Sequence, residues 1–255
     1  EYVDKTGLIS LINGTIGTKK KLTCISRPRR FGKSYAAKML CAYYSKSCDS
    51  DPLFQSFIVA DDPTYKQFLN QFDVIYIDMT NILQKAPQDK ITKFIEDAVT
   101  RELIWNYPEV AQGVSFDETL VHTVEFTGNK FIMIIDEWDA PIRELPAAEK
   151  DYLEFLRMLF KSSGTTDKIF AGAYMTGILP IKKDGSQSAV SEFREYTIFN
   201  PRQFAPYIGF TEEEVKGLCE RRSLDFAQMK KWYDGYNLPE AGDMYNANSR
   251  SEERR

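Results

Sequence analysis

Ser26–Tyr35 reads SRPRRFGKSY. Gly32, Lys33 and Ser34 supply what a phosphate-binding loop needs: a glycine that lets backbone N–H groups approach oxygen, a flexible cation, and a hydroxyl suited to Mg²⁺. Before the loop, KLTCIS (Lys21–Ser26) is a short β-prone run. After it, KSYAAKMLCAYYSK (Lys33–Lys46) carries apolar residues at helical spacing, so the loop falls between a strand and a helix. A usual Walker A loop has its first glycine five positions before the second, and that place is held by Arg27. Taken alone the motif is incomplete, and a basic surface turn competes with it.

A second motif decides between them. FIMIIDEWD, Phe131–Asp139, is an apolar strand ending in adjacent carboxylates, the form of a Walker B segment. In such a strand Asp136 holds Mg²⁺ through its water shell, and Glu137 orients and deprotonates the attacking water. The competing reading is an acidic strand end that meets solvent. Asp139 is read as a cap for the following turn. A further strand, FAGAYMTGI, ends in Thr176 and Gly177, and Thr176 is either a polar sensor of the γ-phosphate or plain strand termination.

The remaining pattern extends this order. VIYIDMT (Val74–Thr80) is a compact strand, with a helix expected from about Gln88 to Trp105. FDETLVHTVEF and AEKDYLEFLRMLFKSS read as helices, and EYTIFN as a possible fifth strand after the Gly- and Ser-containing KKDGSQSA, a candidate mobile loop. Strands alternating with helices predict an α/β fold, a three-layer sandwich on a mainly parallel sheet with its ligands at the carboxyl ends of the strands. Beyond Pro206, TEEEVKGLCERRS and LDFAQMKKWYDGY read as two helices, with Thr211 as N-cap and Gly235 as stop. The expected division is an ATPase core over 1–205, a helical lid over 206–240, and a polar, flexible tail over 241–255.

Composition sets the outer bounds. With 255 residues and 43% hydrophobic, the chain can bury one sizeable core. A net charge of -4 gives no global attraction to polyanions, so any anion site is local. Apolar runs such as Phe131–Ile135 are far shorter than the roughly 18 residues of a membrane span. Four cysteines at irregular spacing and one histidine, His122, offer no zinc set and disfavour histidine-based catalysis. The chain starts at Glu1 without a charged, apolar leader, which reads as a trimmed, non-exported, cytoplasmic protein.

Together YVDKTGLI, RPRRFGKS, IIDEWDAPI, YMTGILPIKK and WYDGY resemble the bacterial AAA-ATPase-like proteins, over Tyr2 to about Asn246. The resemblance implies a P-loop NTPase of the additional-strand (AAA/STAND-like) class, and in that family arginine stands where Arg27 does. Arg27, Pro28, Arg29, Arg30, Phe31, Gly32, Lys33, Ser34 and Tyr35 then form the nucleotide cradle. Ser34 and Asp136 take the metal, and Lys33, Glu137 and Thr176 serve catalysis. ATP and Mg²⁺ are the implied cofactors. Three uses stay open for Arg27, Arg29 and Arg30: neutralising phosphate, facing a partner subunit, or pairing with surface carboxylates. Asp4 and Lys5 belong either to a segment folded against the base or to a charged helix start, and Trp232, Tyr233 and Tyr236 either stack or pack the lid. Relatives often carry a nuclease-like domain of the PD-(D/E)XK type, but after MYN this chain departs from the family into NSRSEERR, a truncation, junction or frame change. The expected function is Mg-dependent ATP hydrolysis that switches an effector. A non-hydrolysing ATP sensor is the alternative, a small-molecule kinase a weaker one, and a nucleic-acid role has no support in the sequence.

Overall fold

The computed structural model describes residues 2–110, 113, 115–161, 163–181, 190–233, 236–238 and 242–246. In chain order the elements are α1 (Gly7–Asn13), β1 (Leu22–Ser26), α2 (Lys33–Tyr44), the single-turn helices α3 (Asp51–Phe54) and α4 (Tyr65–Phe68), β2 (Asp73–Asp78), α5 (Met79–Lys85), α6 (Ile91–Asn106), α7 (Phe116–Thr127) and β3 (Phe131–Asp136). There follow α8 (Ala140–Glu144), α9 (Glu149–Phe160), α10 (Ser163–Ile169), β4 (Phe170–Gly177), β5 (Arg194–Tyr196), β6 (Phe210–Thr211), α11 (Glu212–Arg222), α12 (Phe226–Tyr233), β7 (Tyr236–Leu238) and β8 (Gly242–Tyr245).

Five strands form one parallel sheet in the order β2-β3-β4-β1-β5. β4 is inserted between β1 and β3, so the strands that end in the two motifs flank it. The sheet is buried on both faces, which is why its strands read as continuous apolar runs rather than alternating ones. Alternate residues serve two cores. Leu22, Cys24, Phe131, Met133 and Ile135 pack with Leu120, Tyr152 and Leu156 on one side. On the other, Ile25, Ile132 and Ile134 meet Leu8, Ile9, Ala37, Leu40 and Tyr44 from α1 and α2. Each fully buried Ile or Leu contributes about 1.5–3 kcal/mol. The helix expected from Gln88 begins at Ile91 instead, because Pro87–Lys90 form a turn in which Lys90 N–H donates to Pro87 O at 2.9 Å; before it lies α5, whose start is capped by the Asp78 carboxylate accepting from Asn81 N–H. Among the described residues no helix is long and apolar enough to cross a membrane.

The segment after residue 205 departs from the expected helical lid. Alongside α11 and α12 it holds an antiparallel sheet in the order β6-β8-β7. Met244 and Tyr245 are buried, Met244 within the core on the α2 side, so 242–246 is no polar tail. Four residues of strand depend on tertiary partners for their pairing, and local propensity is too weak to announce them. Thr211 does cap α11, its hydroxyl accepting from Glu214 N–H while the Glu214 carboxylate accepts from Thr211 N–H, a reciprocal capping box. KKDGSQSA, Gly235 and 247–255 lie outside the described residues, as do the side chains of Trp232, Tyr233 and Tyr236.

Candidate functional site

The loop after β1 turns sharply into α2. Arg30 and Gly32 both take left-handed backbone, at φ 70° and 82°. A Cβ on Gly32 would meet nothing within 4 Å, so glycine serves there for its conformation rather than for room. Lys33 and Ser34 occupy the first turn of α2, where free N–H groups and the positive dipole end favour an anion.

The Lys33 ammonium is buried. It donates to Pro28 O at 3.1 Å and lies 3.3 Å from Glu137 Oε1. The two motifs therefore meet across the end of β4, which lies between their strands. Asp136, 2% exposed, accepts from the Thr176 hydroxyl across the β3–β4 seam. The same hydroxyl accepts from Glu137 N–H at 3.4 Å. Glu137 itself has left-handed backbone, φ 53°, a strained state for a non-glycine residue that clusters at functional positions.

Asp139, read as a cap, does more than that. It is fully buried, and its carboxylate accepts from Ile178 N–H at 3.2 Å and Leu179 N–H at 2.9 Å, fixing the turn that follows β4. It also accepts from Arg143 Nε at 2.8 Å, one helical turn later. Arg143 then donates from Nη2 to Glu137 Oε2 at 2.9 Å and from Nη1 to Glu144 at 3.0 Å. Sequence reading missed Arg143, although Asp139 and Arg143 at i and i+4 on the helix after the acidic motif were a usable signal.

Arg27 corrects one of its expected uses. It is no surface partner of a carboxylate: 1% exposed, it donates from Nη1 to Ser26 O at 3.2 Å and Tyr196 O at 3.1 Å, tying together the ends of β1 and β5. Its Nε and Nη2 have no partner among the described residues, and burial pulls its pKa down to about 10. Phe31 is buried with the α2-side core, Pro28 is half-buried, and Arg29, Arg30 and Tyr35 are exposed, Tyr35 to 84%. The opening segment is structural. Asp4 accepts from Thr6 and from Ile58 N–H, while Lys5 donates to Pro206 O at 2.6 Å and to Glu214 Oε1 at 2.6 Å.

A parallel sheet with β4 inserted between the two motif strands, and a glycine-lysine-serine loop opening the helix after β1, define a P-loop NTPase fold. A family model described as "Predicted AAA-ATPase" matches residues 1–186, and the chain belongs to that family. No curated protein matches it in sequence. Solved structures similar to it include Aeropyrum pernix ORC2 in its ADPNP–ADP complexes, with TM-score 0.49 and 12% identity over 86% of this chain and 50% of that one. Another is the A. pernix ORC1 protein in complex with DNA, with TM-score 0.47 and 10% identity over 87% of this chain and 50% of that one. The chain spans about half the length of these structures.

Proposed function

We propose that this chain binds ATP with Mg²⁺ between the Ser26–Tyr35 loop and the ends of β3 and β4, hydrolyses it, and uses the cycle to switch an attached or separate effector. The observation that carries the reading is the meeting of Lys33 and Glu137 at 3.3 Å, beside Asp136 and Thr176. The residues fit the groups they would hold: an open left-handed glycine under the loop and a buried ammonium for phosphate, and for the metal an all-oxygen pair, the Ser34 hydroxyl and the Asp136 carboxylate.

Lys33 would leave Pro28 O and Glu137 for the β- and γ-phosphates. Thr176 keeps one Asp136 oxygen fixed by donating to it, and would serve as the γ-phosphate sensor. Glu137 would orient the attacking water and take its proton on a carboxylate oxygen. When bound, Mg²⁺ supplies charge neutralisation on the phosphates and a template for in-line attack. The contact of Lys5 with Pro206 O and Glu214 supports a lid, here 206–246, that answers to the state of the core.

Timed phosphate release tests this. Glu137→Gln is expected to keep ATP bound and lose turnover by about 10²–10⁴-fold. Wild-type turnover no faster than that variant would remove the hydrolase reading and leave a non-hydrolysing ATP sensor.

A further inference from the structure

We propose that Arg143 is a positioning residue that lets the Glu137 carboxylate stand beside a polyphosphate; this rests on the nucleotide-site reading above. Both Glu137 oxygens are engaged, Oε1 by Lys33 at 3.3 Å and Oε2 by Arg143 at 2.9 Å. Lys33 is the cation that phosphate recruits, and it cannot neutralise Glu137 and the phosphates equally. Arg143 stays behind. Its Nε is held by Asp139, which is itself fixed by the N–H groups of Ile178 and Leu179, so the guanidinium fork is oriented by one carboxylate and presented to another. Glu137, with its left-handed backbone, has its charge compensated where it stands. Without Arg143, a nucleotide that draws Lys33 away would face an unpaired carboxylate, and the repulsion would weaken its binding.

The test is calorimetric affinity for Mg-ATP in four proteins: wild type, Arg143→Ala, Glu137→Gln and the double variant. Arg143→Ala is expected to weaken binding about tenfold in the wild-type background and to change it little in the Glu137→Gln background, the coupling expected of residues in contact. Arg143→Lys should recover part of the loss, since an ammonium reaches Glu137 or Asp139 but not both. In the absence of nucleotide, urea midpoints of the same four proteins should be non-additive. An equal affinity loss in both backgrounds, or additive urea midpoints, overturns the role given to Arg143. If neither wild type nor Glu137→Gln binds ATP, the nucleotide site itself is refuted, and this role falls with it. Should Arg143→Ala fail to fold, Arg143→Gln carries the same comparison.

Discussion

Gly177 shows how tightly single residues are set around this site. A Cβ there would sit 2.5 Å from Trp138 Nε1 and 2.7 Å from Asp139 Oδ1, closer than a Cβ atom comes to any such neighbour. Gly177→Ala is therefore expected to displace the buried indole and the turn-fixing carboxylate, lowering stability by roughly 1–3 kcal/mol; urea unfolding checks it. A glycine after a threonine at a strand end reads in sequence only as a stop, because the crowding comes from Trp138 and Asp139 on another strand's exit. The two motifs that carry Lys33, Ser34, Asp136 and Glu137 could be picked out because each is a matter of local spacing, and the fold brings Lys33 to Glu137. Arg27 was legible as a position but not in its use, since nothing local says that a charged side chain will run under the loop to the carbonyl of Tyr196. Arg143 was announced only by its i,i+4 spacing from Asp139; its reach to Glu137 exists only when α8 is folded after β3.

At the level of elements, two links decide whether the site keeps its shape. Asp139 joins the exit of β3 to the exit of β4 through Ile178 and Leu179. Asp139→Ala would leave those two N–H groups and Arg143 Nε without their acceptor, at an expected cost of about 3 kcal/mol, read as a lower urea midpoint. The second link is Lys5, mostly buried, which joins the segment before α1 to the capping box of α11. Lys5→Met is expected to speed amide hydrogen exchange in Glu212–Arg222 while β1, β3 and β4 stay protected; unchanged exchange in α11 would show that the link is passive. The alternation of five strands and their helices, and the α11 cap, were readable from periodicity and capping signals. The β6-β8-β7 sheet was not, because strands of two to four residues take their register from neighbours rather than from their own sequence.

Over the whole molecule, the sheet order brings the two motifs together, and all four cysteines are free thiols. Cys24 and Cys219 are buried, Cys48 is exposed, and burial pushes the Cys41 thiol up to about 12. In native protein at neutral pH, thiol reagents are expected to modify Cys48 quickly, the partly buried Cys41 slowly, and Cys24 and Cys219 only as the fold opens, which mass spectrometry along a urea series would report. The proposed function requires Lys33 and the acidic pair at the end of β3 to enclose one metal-bound triphosphate. Its most direct test is a calorimetric Mg-ATP titration of wild type against Lys33→Ala, with circular dichroism confirming that both are folded. Saturable binding is expected for wild type and none measurable for Lys33→Ala; equal affinity in the two proteins would refute the shared site.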